Sequence, residues 1–538
     1  MKLSAACGRV AGLVLAALVS HAMPGAAQTL TVGIASGATS ADPHFHALTP
    51  NVQFRKHVHA GLVHMSATNR PEPELAEYWE KVSDTTWRFR LRPGVRFHDG
   101  RAFTARDVIY SYCRVPNVPH SPGLFRPYTA AIRAMRAPDP LTVEIDTAAP
   151  APFLADDLAN VGIISAEAAG APAAFTFDGG TCGITAWPAT ADFNAVGAVA
   201  VGTGPYRLEA FQPNTSATLA RFDGYWGARP IHAKVVLQVI ANPGARAAAL
   251  LSGTVDVIDR PPVEALDRLR AAPGVAIFNA PPANIVYMSF DQALEPSPAV
   301  TGTEGRNPFK DVRVRTAVSK AINREAIVAR ILSGAGSPAH QMAAPTMLGH
   351  DPALPPERYD PEGARALLAE AGYPRGFGLT LHTTSGRYQS DVEVAQAIAQ
   401  MLTRVGIRTD VEAVPPAVYF TNATNQKYSF FLAGVGGNFG EGLMVLRALG
   451  HTRGGNFGSL NRGRYSNPAL DALIVQGLRT MDDAGRAAVT REAIGVFTRD
   501  RGVLPVFHEA MMWASRGGLV VEGRADHLFL AATVRRAP

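Results

Sequence analysis

The chain has 538 residues, of which 47% are hydrophobic and 18% charged, a balance typical of a folded protein rather than a disordered one. Its formal net charge is +6, and the basic residues are spread along the chain, so that no block of Lys and Arg indicates nucleic-acid binding. Beyond the N-terminal region, no stretch is long and apolar enough to predict a membrane span, and we expect a soluble mature chain. The length predicts two or three domains.

The N-terminus has the three parts of a secretory signal peptide. Lys2 and Arg9 make its start positive, an apolar run (VAGLVLAALV) occupies residues 10–19, and small residues follow up to Ala27. The alternative is a transmembrane anchor, but a span needs about 20 apolar residues and this run is much shorter. We therefore expect a signal peptide over residues 1–27, cleaved near Ala27, and export of the mature chain.

The cysteines bear on the compartment and on covalent structure. Cys7 lies before the apolar run, where the lipid-attachment cysteine of a lipoprotein signal does not occur, so no lipid anchor is expected. Cys113 and Cys182 remain after cleavage, and an oxidising compartment permits a disulfide between them. The sequence does not show their distance, so a disulfide and two free thiols both stay open. A nucleophilic thiol at Cys113 would need a partner base, and none is identifiable beside it.

The first half of the mature chain is predicted to be rich in strands. Alternation or short apolar runs predict strands over 30–35, 87–92, 141–146, 206–211, 234–240 and 255–257. Helices are predicted over 104–112, where Thr104 is an N-cap residue and Asp107 stands three residues later, and over 243–251. The Ala-, Gly- and Thr-rich stretch 171–204 predicts a long loop or a domain boundary.

Beyond Asn284 the predicted elements alternate between strands and helices. Strands are predicted over 284–290, 379–382 and 407–414, and helices over 312–332 (a pair or one long helix), 361–371 and 391–405. This β–α–β order favours an α/β lobe. No internal repeat of solenoid period is present.

Motifs for catalysis and for metal binding are weak. No G-x-S-x-G elbow, P-loop or H-E-x-x-H occurs, so no catalytic residue and no cofactor are predicted. Histidines cluster early in the chain, at His44, His46, His57, His59 and His64. Imidazole binds Zn, Ni and Cu, but no cysteine or acidic third ligand stands at a suitable distance. We interpret these residues as loop or surface histidines and predict no metal site.

A glycine-rich turn over 434–440 lies among aromatic residues. Tyr428, Phe430 and Phe431 precede it, and Phe439 lies within it. Aromatic residues are more often core residues than ligand platforms. A glycine-rich turn with polar residues nevertheless leaves backbone groups open to a ligand, so core packing and cleft lining both stay open here.

Several segments together resemble the family 5 extracellular solute-binding proteins, the peptide/nickel-type receptors of ABC importers. Residues 87–111 (WRFRLRPGVRFHDGRAFTARDVIYS) resemble the signature of this family. Further similarity lies at 202–206 (GTGPY), 221–226 (RFDGYW), 247–256 (AAALLSGTVD), 307–323 (NPFKDVRVRTAVSKAIN), 465–472 (YSNPALDA) and 504–507 (LPVF). The resemblance covers essentially the whole mature chain in the expected order.

The resemblance implies an α/β periplasmic-binding-protein-like fold of type II, cluster C-like, with two lobes and an extra inserted domain. Domain I would comprise 28–72, 200–285 and 505–538, domain II is the insert 73–199, and domain III spans 286–504. Crossings near Ala283 and near Pro505 would form the hinge. A ligand that contacts both lobes binds the closed form better and shifts the population toward it.

The resemblance also bears on the ligand. In peptide-binding relatives an extended peptide pairs with the main chain of the protein, and an Asp meets its amino terminus. Asn438 stands at the position of that Asp and Val435 where a Trp is usual. A neutral Asn lacks the charge that strengthens a hydrogen bond to an ammonium, which puts a simple free-amine peptide in doubt. Arg387 lies near the position that holds the ligand carboxylate in some relatives, and a solvated surface arginine is the alternative.

The implied function is that of a periplasmic substrate-binding protein of an ABC importer, which binds a peptide-like solute and passes it to the permease and ATPase complex. The predicted ligand-binding residues are Thr39, Ser40, Phe125, Arg126, Tyr128, Arg387, Gly437, Asn438 and Phe439. The alternatives are a non-peptide solute (a metal chelate, a modified peptide or a small organic acid) and a sensory receptor of the same fold. We expect a monomer in the periplasm with no nucleic-acid partner and no enzymatic activity.

Overall fold

The computed structural model describes residues 29–121, 125–437 and 439–538. Its strands, in chain order, are β1 (Thr29–Ile34), β2 (Val63–Met65), β3 (Pro71–Pro73), β4 (Ala76–Ser83), β5 (Thr86–Leu91), β6 (Ile132–Asp139), β7 (Thr142–Thr147), β8 (Tyr206–Gln212), β9 (Ser216–Arg221), β10 (Lys234–Val239), β11 (Val257–Asp259), β12 (Val275–Asn279), β13 (Asn284–Phe290), β14 (Val300–Thr301), β15 (Gly336–Pro338), β16 (Phe377–Thr384), β17 (Ile407–Val414), β18 (Phe430–Gly436), β19 (Leu504–Glu509), β20 (Met512–Arg516), β21 (Leu519–Val520) and β22 (Arg535–Arg536).

The α-helices are α1 (Thr49–Val58), α2 (Ala105–Arg114), α3 (Leu154–Leu158), α4 (Thr190–Asn194), α5 (Pro243–Ser252), α6 (Leu266–Ala271), α7 (Val312–Ala321), α8 (Arg324–Ala326), α9 (Pro361–Glu370), α10 (Asp391–Arg404), α11 (Pro416–Thr424), α12 (Gly442–Val445), α13 (Pro468–Arg479) and α14 (Asp483–Arg499). Short 3₁₀ turns and the π-helical turns Ile327–Ile331 and Leu446–Gly450 supplement them. Across the described ranges, no helix combines the length and the apolar character that a bilayer span requires.

The first large sheet has the strand order β12-β20-β11-β1-β10-β9-β8. β1 lies in its middle and is parallel to both β10 and β11. A strand with neighbours on both sides and cover on both faces is expected to be apolar throughout, and Leu30 and Val32 of β1 are fully buried. The prediction of a strand at 30–35 is confirmed, whereas the strand predicted at 255–257 begins only at Val257.

The insert is an antiparallel sheet of order β4-β5-β7-β6 with α2 packed on it. Trp87 and Phe89 of β5 are buried in the same hydrophobic cluster as β1, while Arg88 on the opposite face donates to Glu144 of β7 at 2.9 Å. This is the alternation expected of a half-buried strand. Because one continuous core joins the insert to the first sheet, the two form a single larger lobe.

A disulfide fastens the irregular segment 171–204 to the insert. Cys113 near the end of α2 is bonded to Cys182, with their Cα atoms 5.9 Å apart. The segment contains the short helix α4 and otherwise irregular backbone, in agreement with the predicted loop. The structure thus selects the disulfide from the two states of these cysteines that the sequence leaves open.

A buried ion pair lies beside this disulfide. Arg114 donates to both carboxylate oxygens of Asp42 at 2.7 Å, both side chains are wholly buried, and the Thr190 hydroxyl donates to the same carboxylate at 2.9 Å. Burial opposes ionisation of Asp42, but the Arg114 guanidinium lowers the pKa of the carboxyl below its ordinary value. The pair therefore connects the loop after β1, the insert helix and the irregular segment.

The second lobe contains the other large sheet, of order β14-β16-β18-β13-β19-β15 with β17 beside β16. β16 and β17 are parallel along their whole length and are joined by α10, which confirms the predicted β–α–β order. The stretch 312–332 forms two helices, α7 and α8, the second continuing into a π-helical turn. This confirms the helix pair rather than one long helix.

The chain crosses between the large sheets twice. The first crossing runs from β12 to β13 through Ala283, as predicted. The second runs from β19 to β20, between Glu509 and Met512, a few residues after the crossing expected near Pro505, which lies inside β19 and pairs with Tyr287 of β13. Residues 505–509 therefore complete the sheet of the second lobe.

Candidate ligand-binding cleft between the lobes

A cavity of about 830 Å³ lies between the two lobes, within the size range of small-molecule sites; we call it the cleft. The larger lobe supplies the turn 260–264 after β11, and the second crossing supplies residues 510–512. The second lobe supplies the loop 386–390 before α10 and the glycine-rich segment 434–437. Both walls stand next to the two crossings, where a hinge motion would open or close the cleft.

The loop 386–390 is held by the carboxylate of Asp391, the first residue of α10. This buried carboxylate accepts hydrogen bonds from the backbone N–H groups of Gly386 at 3.0 Å and Arg387 at 2.9 Å, and from the Thr384 hydroxyl at 2.6 Å. A carboxylate is favoured at a helix N-terminus because free N–H groups and the helix dipole meet there. Asp391 thereby fixes the backbone that presents Arg387 to the cleft.

β18 brings bare main chain to the cleft. Its pairing with β16 is confined to residues 430–431, so residues 434–437 lie beyond the reach of that neighbour and line the cavity. Gly436 has a φ of +117°, and a Cβ there would lie 2.1 Å from the carbonyl oxygen of Ala283. Only glycine allows the strand to pass the hinge residue so closely.

The open side of β18 follows from its hydrogen bonds. The Gly437 N–H donates to the Ala283 carbonyl at 3.0 Å, on the β13 side. Because residues alternate along an antiparallel ladder, Gly434 and Gly436 direct their main-chain groups to the other side. There the Gly434 N–H donates to the Tyr388 hydroxyl at 2.8 Å. The main-chain groups of the strand are thus presented toward the cleft.

Two arginines face the cleft from opposite lobes, Arg260 after β11 and Arg387 before α10. Both are exposed. Within the described part of the chain, neither guanidinium forms an ion pair, and Arg387 contacts only the face of the Tyr388 ring, 5.6 Å from its centroid. Unpaired cations on both walls make the cleft attractive to a ligand carboxylate or another anion.

The turn that carries Arg260 is built on a buried arginine. Arg246 of α5 donates to the carbonyls of Ile240 at 2.7 Å, Asp259 at 2.9 Å and Arg260 at 2.9 Å. Burial lowers the pKa of Arg246 and raises that of the Asp259 carboxyl beside it. With its donors committed to these carbonyls, Arg246 supports the wall rather than supplying a free cation.

An acidic and a neutral side chain complete the centre of the cleft. The Glu509 carboxylate accepts from the Asn284 amide at 2.6 Å and from the Gln389 N–H at 2.8 Å. Burial, together with the Arg260 charge, lowers the pKa of His527 to about 4, so its imidazole is neutral at neutral pH. Glu509 links the two crossings. It ends β19, where the second crossing begins, and its carboxylate accepts a hydrogen bond from Asn284, the first residue of β13 after the first crossing.

A smaller cavity of about 280 Å³ adjoins the cleft; we call it the side cavity. Thr49, Phe439 and Asp526 line both spaces. Asp156 and Asp157 of α3 lie on its wall in the larger lobe. A group bound in the cleft can therefore extend past Phe439 into the side cavity.

The structure brings together some of the predicted ligand-binding residues. Arg387, Gly437 and Phe439 line the cleft, and Tyr128 lines the side cavity together with Phe439. Asn438 lies outside the described residues, so its position opposite a ligand amine stays a prediction. Of the aromatic residues around the glycine-rich turn, Tyr428, Phe430 and Phe431 are core residues, whereas Phe439 is a cleft residue.

The remaining predicted residues lie apart from both cavities. The Thr39 and Ser40 hydroxyls are hydrogen bonded to Asn51 and to Asn194, at 3.4 and 3.0 Å, because their loop packs against the insert. Phe125 is 2% exposed and packs on the Tyr128 ring, and Arg126 points to solvent. These four residues line neither the cleft nor the side cavity.

The cleft also contains residues that the sequence does not single out, above all Arg260, Glu509 and His527. Their only local signal is that Arg260 follows β11, which is parallel to β1, and that Glu509 ends the antiparallel strand β19, since ligand sites gather at strand ends in α/β sheets. Asp156 and Asp157 of the side cavity belong to a five-residue helix with no motif. These residues come together only in the folded chain, and no sequence motif links them.

The early histidines have structural roles. The His44 Nε2 is hydrogen bonded to the Gly162 carbonyl at 2.7 Å, and burial lowers the pKa of His44 and of His59 to about 3. His44, His57 and His59 are buried, which corrects the interpretation of all five as loop or surface residues. Among residues 29–121, 125–437 and 439–538, no group of three or more His, Cys, Asp or Glu residues could hold a metal ion.

Two lobes joined by a double crossing, with a lined cleft between them, define a solute-binding protein of the periplasmic-binding-protein type. Residues 70–457 match the model of the bacterial extracellular solute-binding proteins, family 5. The chain belongs to this family. The resemblance found in its sequence, the α/β two-lobed fold and the solute-binding class are thereby confirmed.

Two curated relatives are similar over most of their length. The dipeptide-binding protein of Escherichia coli K12 is 27% identical over 485 residues, covering 85% of this chain and 85% of the relative. The glutathione-binding protein of Pectobacterium atrosepticum is 28% identical over 491 residues, covering 90% and 89%. Both relatives are named as binding proteins rather than as enzymes.

A solved structure supports the fold independently. The ABC transporter-associated periplasmic binding protein from Helicobacter pylori, in complex with the peptide STSA, superposes with a TM-score of 0.69 at 21% identity, covering 95% of this chain and 98% of that one. At this identity the similarity bears on the fold alone. It extends over both lobes and the insert.

Proposed function

We propose that the chain is the periplasmic receptor of an ABC importer that captures short peptides or peptide-like solutes. The solute binds between the lobes, the lobes close on it, and the closed monomer delivers it unchanged to the permease and ATPase complex. Family membership supports the class, and the dipeptide- and glutathione-binding relatives support a peptide-like solute. We further propose that the signal peptide over residues 1–27 is removed near Ala27 on export. Residues 1–27 lie outside the described ranges.

The observation that carries the peptide assignment is the open main chain of β18 in the cleft. An extended peptide can add to this strand at the Gly434 carbonyl and at Gly436, whereas the Gly434 N–H already donates to the Tyr388 hydroxyl. Arg387 stands directly beside this segment, on the loop held by Asp391. A peptide whose backbone pairs with β18 can thus place its carboxylate against a free guanidinium.

Arg260 on the opposite wall supplies the reason for closure. A carboxylate held by Arg387 in the second lobe and by Arg260 in the larger lobe interacts with both walls only when the lobes approach. Its affinity is therefore higher for the closed form, and binding shifts the population toward that form. The permease can read this change of shape without any covalent change in the solute.

The test uses the mature chain beginning at Gln28 and isothermal titration calorimetry. The ligands are trialanine, trialanine amide, which lacks the carboxylate, and N-acetyl trialanine, which lacks the ammonium. We expect Arg387→Ala and Arg260→Ala each to weaken trialanine binding by about 10- to 100-fold, since a hydrogen bond to a charged group contributes about 1.5–3 kcal/mol. Neither substitution should change the affinity for trialanine amide, because the amide lacks the carboxylate that the two arginines bind.

The matched control is Arg408→Ala. Arg408 is an exposed arginine on β17 in the second lobe that lines neither cavity, and its removal should leave trialanine affinity unchanged. If no peptide binds while a metal chelate or a small organic acid does, the peptide assignment is wrong and a non-peptide solute takes its place. If the amide binds as tightly as the free acid, the roles of Arg387 and Arg260 are refuted.

A further inference from the structure

The side cavity contains two carboxylates without a counter-ion. Asp156 and Asp157 are neighbours on α3 and line the cavity wall. Within the described residues, neither side chain forms an ion pair or accepts a hydrogen bond from another residue. Carboxylates that are largely removed from water are normally paired, so two unpaired carboxylates on one cavity wall require an explanation.

The charges of Arg486 and Arg70 act on Asp156 and that of Arg447 acts on Asp157, but in the described part of the chain none of these arginines forms an ion pair with either aspartate. Arg486, whose charge acts on Asp156, donates two hydrogen bonds to the Glu441 carboxylate at 2.8 and 2.7 Å. Lys56 also lines the side cavity, but its electrostatic neighbours are Arg55, Glu74, Asp526 and Arg524 rather than the two aspartates. Within the described ranges, Lys56 forms no ion pair with either aspartate.

An independent observation comes from Asn69, which is 2% exposed and lines the same cavity. Its Nδ2 donates to the Gly437 carbonyl at 2.7 Å, so the orientation of the amide is determined and Oδ1 is the free end. That buried oxygen has no hydrogen-bond partner in the described structure. An unsatisfied buried acceptor costs about 1–3 kcal/mol, and a donor from a bound ligand would remove that cost.

The rest of the cavity is suited to a hydrocarbon chain. Val52, Met65, Phe153 and Met444 contribute apolar surface to the lining of the side cavity. Its volume of about 280 Å³ is ample for a side chain of a few methylene groups. Long basic side chains combine an apolar stem with a charged head in this manner.

We propose that the side cavity is a specificity pocket for a basic side chain of the bound peptide, whose ammonium group is held by Asp156, Asp157 and the Oδ1 of Asn69. This inference rests on the proposed function, because the peptide backbone in the cleft directs the side chain past Phe439. The three acceptors match the three donors of a lysine-like ammonium. The receptor thus selects peptides that carry lysine or an unbranched analogue at one position.

The pKa values of the two aspartates are consistent with this role. Burial and the nearby Glu441 charge raise the pKa of Asp156 to about 7, and burial and the charge of Asp156 raise that of Asp157 to about 7. An ammonium between the two carboxylates would favour their ionised forms and lower both pKa values. In the absence of a cation, burial and mutual repulsion disfavour the ionised forms of both aspartates, and a bound cation would offset that cost.

The test compares peptides that differ only in the charge of one side chain. Tripeptides with lysine at the first, second or third position and alanine elsewhere are titrated against norleucine counterparts at about pH 8, above the raised pKa of the aspartates. We expect one lysine isomer to bind about tenfold or more tightly than its norleucine partner. In the double variant Asp156→Asn with Asp157→Asn this preference should vanish, while the affinity for the norleucine peptide is retained.

A second measurement does not depend on peptide binding. Pentylammonium at millimolar concentration should raise the melting temperature of the wild type, whereas pentanol should not, because ligand binding stabilises the folded state by mass action. The double variant should show no shift with pentylammonium. Its own melting temperature without ligand should not fall, since it loses two poorly compensated carboxylates.

The outcomes separate the two proposals. If peptides bind with no lysine preference at any position and pentylammonium gives no shift, the specificity pocket is refuted and the peptide receptor stands. If no peptide binds but pentylammonium shifts the wild type alone, the peptide assignment fails and the cation site stands for an amine of another kind. A lysine preference that survives in the double variant would also refute the pocket.

Discussion

The disulfide between Cys113 and Cys182 gives a sharp prediction about the stability of the larger lobe. The bond joins residues separated by 69 positions, so it closes a long loop in the unfolded chain. The chain-entropy relation for such a loop gives a stabilisation of about 4 kcal/mol at 25 °C. We expect the variant Cys113→Ser with Cys182→Ser to lose stability of this order, because its unfolded chain regains the loop entropy.

The assay can be confined to the lobe that carries the bond. The chain has five tryptophans, and all of them pack in or against the core of the larger lobe: Trp79, Trp87, Trp187, Trp226 and Trp513. Urea unfolding followed by tryptophan fluorescence therefore reports on that lobe. With a urea slope of about 3 kcal/mol per molar, the midpoint should fall by about 1.3 M in the variant or after reduction.

The control is the double serine variant itself, whose midpoint should not respond to dithiothreitol. A count of free thiols in the unfolded mature chain tests the bond directly and should find none before reduction. If the oxidised and reduced chains unfold at the same urea concentration, the disulfide does not constrain the larger lobe. The inference from loop entropy would then be refuted.

Two further predictions concern buried charge. Asp42→Ala should lower the free energy of unfolding of the larger lobe by about 3–5 kcal/mol, since Arg114 would be left buried and unpaired; the control Asp223→Ala, at an exposed ion pair, should leave the urea midpoint nearly unchanged. His57, whose Nε2 accepts from the Ala531 N–H at 3.0 Å, has its pKa lowered to about 4 by burial. Its folded pKa lies below the unfolded value of 6.5, so its stabilisation is complete above about pH 6.5 and is lost as pH falls toward about 4. Relative to His57→Gln, the wild type should lose about 2 kcal/mol more between pH 7 and pH 5, and parallel pH profiles would contradict this.

Local pattern accounts for much of the secondary structure. The strand at 407–414 and the helix that begins after Thr104 follow from alternation and from a capping box, in which Asp107 accepts from the Thr104 N–H at 2.9 Å. These signals depend on residues a few positions apart, and they hold wherever the segment lies in the fold. The glycine-rich turn was identifiable for the same reason, and Gly437 lies in the cleft.

The roles of segments whose packing partners are distant in the chain were predicted less accurately. Thr39 and Ser40 have the composition of a ligand-binding loop, but their hydroxyls are occupied by Asn51 and Asn194. Pro505 appeared to mark the second crossing, because nothing local shows that β19 still pairs with β13. Such outcomes depend on packing, which local propensity does not contain.

By itself, the sequence determined the family, the α/β class and the main helices and strands, and it predicted a ligand role for Arg387 and Phe439, which line the cleft. Only the tertiary structure decided that Cys113 and Cys182 are bonded, where the chain returns to the larger lobe, and that Arg260 and Arg387 line one cleft from opposite lobes. It alone brings Asn69 to the same cavity as Asp156. The physical reason is that helices and strands arise from short-range periodicity and capping, whereas a cleft between lobes exists only after distant segments have been packed together.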